Sequence, residues 1–224
     1  MLTHAPWSAL PRLRHGFLDR RAGGDSSGWA VAGLAGASLP VAVARQVHGT
    51  SVVTARRGGG RPEADGLVSA TPGILVGVVT ADCVPVLLID PRRRAVAAVH
   101  AGWRGAAAGV LETAVGYLAE TYDCLPADLE AAIGPAIGGC CYEVGPEVAD
   151  AFRARSGDLT AAAWRHGVGR PHLDLRRVAQ LLLLAAGVPE VAILGPCTAC
   201  DRTYHSYRRD GATAGRQLSF VGWV

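Results

Sequence analysis

The stretch TADCVPVLLIDPRRRAVAAVHAGWRG (residues 80–105) decides how this chain folds. Two apolar runs, Val84–Ile89 and Ala95–His100, flank Asp90-Pro-Arg-Arg-Arg94, whose composition is that of a turn. A hairpin centred between Pro91 and Arg92 sets Leu87 opposite Val96 and Cys83 opposite His100. Opposed residues on one face hold their Cβ atoms about 4.5–5.5 Å apart. A thiolate and an imidazole in that relation can share a metal ion or act as nucleophile and base, and both chemistries stay open at this point. Pro85 has no N–H for a ladder, so this end of the strand is expected to be an edge or a break. A helix is expected over Gly105–Tyr122. The glycines of His100-Ala-Gly-Trp-Arg-Gly105 let backbone N–H groups approach a ligand there, with Arg104 at the positive helix end.

Outward from this hairpin, the short apolar runs Pro40–Ala44, Ile74–Thr80, Glu130–Ile133 and Val191–Leu194 read as further strands. In the helix over Gly105–Tyr122, Val110, Leu111, Ala114, Val115 and Leu118 form one stripe. Pro146–Arg155 starts with a first-turn proline. Asp174–Ala186 opens on an N-cap aspartate, buries Leu175, Val178, Leu181, Leu182 and Ala185, and stops at Gly187. Residues 22–38 and 56–62 read as glycine-rich loops. Strands and helices mix without βαβ alternation, and no G-x-G-x-x-G follows a strand. The expected fold is therefore α+β, a layered α/β sandwich with mixed sheets, in one domain over residues 1–224.

At 224 residues, half hydrophobic and 18% charged, the chain has the composition of a globular protein with a real core, and no apolar run reaches the ~20 residues of a membrane span. The N-terminus lacks the layout of a signal peptide, so a cytoplasmic protein is expected. A net charge of +3 and a short, aromatic-free Arg92–Arg94 run give no sign of nucleic-acid binding. All 22 basic residues are arginine, which excludes a lysine Schiff base, a lysine general base and a P-loop lysine. Anions must be held by arginine or backbone N–H groups. Of six cysteines, only Cys197 and Cys200 show C-x-x-C spacing. A closed zinc site would want a second such pair, and Cys140 and Cys141 are adjacent rather than spaced, so packing is the favoured reading of Cys197 and Cys200, with a metal pair as the alternative. If the Cys83–His100 pair binds a metal, His48 is a suitable third ligand, because it follows a strand and precedes a glycine.

Arg45-Gln-Val-His-Gly49, Ala64-Asp-Gly-Leu-Val-Ser69, Thr80–Leu88, Ala98–Gly105, Ile133–Gly145 and Ser206–Gln217 together resemble the laccase-domain family, also described as polyphenol oxidase-like and as purine nucleoside phosphorylase. The resemblance implies a layered α/β sandwich and one zinc ion held by His48, Cys83 and His100, with copper as a substitute. It implies phosphorolysis of purine nucleosides (adenosine, inosine, guanosine and methylthioadenosine) together with adenosine deamination. Three protein ligands leave one position open, as in catalytic zinc sites. Arg45 and Arg104 are the first choices for holding phosphate, with Arg208 and Arg209 behind them and Gln46 as a further substrate contact. Asp65 ranks above Asp82 as a site carboxylate, because Asp82 in a strand would face away from Cys83. The alternatives are a copper polyphenol oxidase, a metal-free Cys–His hydrolase, an editing factor for peptidoglycan precursors, and a binding module. The oxidase conflicts with seven histidines and no His-x-His pair. Two departures from the family pattern stand out. The Gly16–Gly24 segment is altered, and His205 replaces an aromatic residue before Ser206, a change that would alter stacking or add a polar contact in the pocket.

Overall fold

The computed structural model describes residues 1–22, 29–32, 38–165 and 169–224. Strands β1 (Leu13–Phe17), β2 (Trp29–Ala32), β3 (Ser38–Val43), β6 (Leu75–Thr80) and β13 (Gln217–Trp223) form one sheet, in the order β1-β13-β6-β3-β2. A second sheet has the order β12-β9-β7-β8-β5-β4. It is built from β4 (Val52–Thr54), β5 (Gly66–Ser69), β7 (Val84–Asp90), β8 (Ala95–Ala101), β9 (Glu130–Ile133) and β12 (Glu190–Ile193). β10 (Trp164–Arg165) and β11 (His172–Leu173) make a small separate ladder. Parallel pairs (β3 with β6, β4 with β5, β9 with β12) occur beside antiparallel ones, so the sheets are mixed as expected.

Every residue of β7 and β8 is buried. Val84, Val86 and Leu88 pack on the helical side, while Leu87 and Ile89 meet Val76, Val78 and Val221 of the first sheet. A strand covered on both faces needs a continuous apolar run, and VPVLLID provides one. Each fully buried Val or Leu contributes roughly 1.5–3 kcal/mol. The helical layer comprises α2 (Trp103–Ala108), α3 (Val110–Tyr122), α4 (Pro146–Ser156) and α5 (Leu175–Ala185). Short helices α1 (Ala5–Ser8) and α6 (Tyr207–Asp210) lie outside it in the sequence. The Asp174 carboxylate caps α5 by accepting from Arg176 N and Arg177 N. The buried stripe of α5 runs through Ala179 and Leu183, with Ala185 exposed rather than buried.

Several expectations are corrected. The hairpin register is two residues away from that expected, with Leu87 opposite Ala98, Ile89 opposite Val96 and Pro85 opposite His100. The cause is Asp90, whose Oδ1 accepts from Arg92 N and Arg93 N and moves the turn centre one residue along. β7 is interior, not an edge. The break falls before it, where Asp82 takes φ of 89° and ends any strand at Thr80. The Gly105–Tyr122 helix starts earlier, at Trp103, and is interrupted by Gly109 at φ of 100°. Trp29–Ala32, read as loop, pairs with β3. The strands β1, β4, β5 and β13 were not anticipated.

Candidate active site

Asp65 organises the site. It directly precedes β5 and is fully buried. Its Oδ1 accepts from His48 N at 2.9 Å and meets His100 Nδ1 at 2.8 Å, while Oδ2 accepts from Gly49 N at 2.7 Å and Val47 N at 3.2 Å. Burial would raise the pKa of this carboxyl. The bond to His100 and the amides of Gly49 and Val47 more than offset that and hold it below the usual range. Three consecutive amides wrapped on one carboxylate also hold His48 in the left-handed region, at φ of 62°. With Nδ1 of His100 engaged by Asp65, Nε2 remains for a ligand.

Cys83 leaves the bend at Asp82 and approaches the same point, with Sγ 3.8 Å from His48 Nε2. The rings of His48 and His100 meet edge to face, 4.8 Å between centroids. One donor atom from each of His48, Cys83 and His100 lies within 4.8 Å of the other two. Burial opposes the Cys83 thiolate, yet hydrogen bonds from His100 and His48 prevail and bring its pKa down to about 6. Burial likewise opposes the His100 cation, and Asp65 and Cys83 together raise it to about 9. Gly102 completes the floor. A Cβ there would stand 2.8 Å from His48 Cδ2 and 3.3 Å from Cys83 Sγ.

These three side chains line a cavity of about 560 Å³, within the size range of small-molecule sites. Arg45, Gln46 and Arg208, singled out from the sequence, also line it. Arg45 is paired with Glu63. The Gln46 side chain exchanges two hydrogen bonds with the backbone of Val79, at 2.8 and 2.9 Å. Arg208 donates to Cys141 O and Glu143 O, both at 3.0 Å, and its guanidinium lies 5.3 Å from the Tyr142 ring centroid. Asp65 stands behind His48 and His100 rather than in the lining. Asp82, by contrast, is in the lining, and its carboxylate accepts from Thr198 Oγ1 at 2.6 Å, Arg208 N at 2.6 Å and Ser206 Oγ at 3.1 Å. Arg104 stacks on Trp103 at 4.4 Å, outside the lining. Arg209 is also outside it, its guanidinium held by Thr198 O, Tyr204 O and the Asp210 carboxylate. His205 does not reach the cavity, so no stacking there depends on it. Gly23 and Gly24 of the altered N-terminal segment, and His166, lie outside the described residues.

Arg61, Arg216, Tyr142 and Tyr207 line the cavity and were missed. Tyr142 and Tyr207 fall inside quoted motifs, and a chain without lysine had to take its cavity cations from arginine. No local pattern shows which arginines those are.

The family described as "Multi-copper polyphenol oxidoreductase laccase" matches residues 28–224. The chain belongs to that family. Among its laccase-family relatives, "Purine nucleoside phosphorylase YlmD" of Geobacillus stearothermophilus is 38% identical over 191 residues, covering 79% of this chain and 70% of the relative. "Purine nucleoside phosphorylase YfiH" of Escherichia coli K12 is 41% identical over 184 residues, covering 80% and 72%. "Adenosine deaminase RL5", from an unknown prokaryotic organism, is 38% identical over 161 residues, covering 70% and 61%. The crystal structure of YlmD superposes with a TM-score of 0.81 at 29% identity, covering 96% of this chain and 93% of that one. The laccase-family chain therefore carries a fold seen by crystallography. Its His48, Cys83 and His100 form a group that could hold a metal ion, with a buried carboxylate behind His100.

Proposed function

We propose that this protein is a zinc-dependent phosphorylase of purine nucleosides that also deaminates adenosine. The observation that carries the reading is the convergence of two imidazoles and one thiol on the wall of an arginine-lined cavity. The relatives named as phosphorylases and as a deaminase support it. His48, Cys83 and His100 would hold the zinc, with copper as a substitute given the softness of the donors. Bound there, zinc supplies Lewis acidity to a water or to a substrate heteroatom. Asp65 holds His100 in the tautomer that can ligate and clamps the His48 loop. Arg45, Arg61, Arg208 and Arg216 supply positive charge to the cavity, suited to orthophosphate beside a ribose. Tyr142 and Tyr207 offer aromatic faces to a base. Among the described residues no helix is long and apolar enough to cross a membrane, and we place the reaction in the cytoplasm.

The test pairs metal analysis with turnover. His48→Ala, Cys83→Ala and His100→Ala should each lose the zinc of the cavity and nucleoside cleavage together, with circular dichroism unchanged. Inosine or adenosine with phosphate should give free base and ribose 1-phosphate. Absence of free base from every purine nucleoside ends the phosphorylase reading. A second reading rests on the thiolate–imidazolium character of Cys83 and His100, which suits a metal-free nucleophile and base. Full activity after exhaustive chelation would favour it. A multicopper oxidase is disfavoured, because the two groups of potential metal donors among the described residues offer two imidazoles in all, too few for several copper ions.

A further inference from the structure

Four cysteines outside the cavity come together from two distant segments. Sγ atoms of Cys140, Cys141, Cys197 and Cys200 all lie within 4.8 Å of one another. Cys141 Sγ is 3.3 Å and Cys140 Sγ 3.6 Å from Cys200 Sγ. All four are free thiols. Edges of a tetrahedron of sulfurs at a Zn–S distance of about 2.3 Å measure about 3.8 Å, so this spread brackets a ZnS₄ centre.

The surrounding backbone is arranged for ligation. A bridge between Ala136 and Cys197, with Thr198 N donating to Ala136 O at 3.0 Å, joins the two segments. Cys140 and Cys141 sit on a single turn in which Cys141 N and Tyr142 N both donate to Gly138 O. Cys197, the buried member, accepts Gly138 N–H at 3.1 Å on its sulfur. An N–H group aimed at sulfur stabilises a thiolate, the form that binds metal. Arg208 and Arg209 hold the carbonyls of Cys141 and Thr198, fixing both loops from outside. A disulfide would use two of the sulfurs and leave the other two unexplained, whereas a tetrahedral ion uses all four.

We propose that Cys140, Cys141, Cys197 and Cys200 form a second, structural metal site that takes zinc or a similar thiophilic divalent ion. Four thiols bind the ion with release of their protons to solvent and no redox change. The closed set of four leaves no open position, so the site is not catalytic. It would pin the turn that leads into Tyr142 and supplies the carbonyl held by Arg208, both in the cavity wall.

The test is metal content of the full chain purified anaerobically, with zinc and then cobalt as probes. Wild type should carry about two zinc per chain, one for each donor group. Cys83→Ala should retain about one, and Cys140→Ser/Cys141→Ser should lose one while keeping that at His48, Cys83 and His100. Cobalt-loaded Cys83→Ala should show the intense visible bands of a thiolate-rich tetrahedral centre. This arm uses no cluster variant, so it stands if the serine variant fails to fold. It also separates failure here from failure at the cavity. Zinc content in the serine variant equal to that of wild type, no cobalt bands in Cys83→Ala, or a disulfide among the four in anaerobic protein would each overturn the proposal.

Discussion

Gly102 shows how one hydrogen atom in place of a methyl keeps a site open. Its backbone, at φ of −68° and ψ of 163°, suits any residue, so glycine is not needed for conformation. It is needed for space, because the hairpin register carries residue 102 to the position opposite Cys83, where His48 also closes in. Gly102→Ala should leave the fold intact and weaken metal affinity by about 10-fold or more, as losses of close support to metal ligands do. Competition against a chelator of known affinity measures this, and unchanged affinity would refute the steric account. Asp65 illustrates the complementary case. Its carboxylate accepts four hydrogen bonds from two segments, residues 47–49 and His100, so it sets the placement of His48 and His100 while leaving the Nε2 atom of His100 free.

At the scale of elements, the break between α2 and α3 decides where the residue 100–105 segment lies. Gly109 ends α2, donating to Gly105 O and Ala106 O, and starts α3 from the same left-handed residue. A Cβ there would also collide with the Arg155 guanidinium, which reaches toward Glu112 at 3.4 Å. The arginine can move, but the backbone conformation cannot be relieved without shifting α2. Gly109→Ala should destabilise the protein by about 1–3 kcal/mol, read by urea unfolding. α2 rests against the His48 loop (a Cβ on Gly105 would lie 2.8 Å from Gly49 O), so nucleoside turnover should fall with it.

Across the whole molecule, the N-terminal segment is tied to the sheets through titratable groups. Trp7 is fully buried and donates from Nε1 to Glu130 Oε2 at 2.6 Å, and the His15 ring packs against it edge to face. His15 Nε2 accepts His4 N–H at 2.9 Å, which requires a neutral ring. Burial lowers its pKa to about 4 from the usual 6.5. The unfolded chain therefore binds the extra proton first. Stability from this residue is fully present above pH 6.5 and is lost as pH falls towards 4, by at most roughly 3 kcal/mol. The His15 ring resonances should titrate below pH 5, and a midpoint near 6.5 would contradict the burial argument. Following that resonance separates this effect from titration at His48, Cys83 and His100.

The residues settled much by themselves. Continuous apolar runs in 84–89 and 95–100 required strands covered on both faces, the stripe on 110–118 required a helix against them, and Asp174 marked its own helix start. The resemblance named His48, Cys83 and His100, and the hairpin placed two of them together even with its register off by two. A slip of two keeps every side chain on its own face, so the convergence survived the error. Tertiary structure alone decided the rest. Asp90 relocated the turn, the strained bend at Asp82 carried Cys83 to the histidines, and arginines from separate loops were gathered into one cavity. Two cysteine pairs whose spacing argued against a joint site met across a single backbone bridge. Periodicity and local spacing encode what a segment buries, whereas contacts between segments distant along the chain follow from how the sheets stack, which no local pattern records.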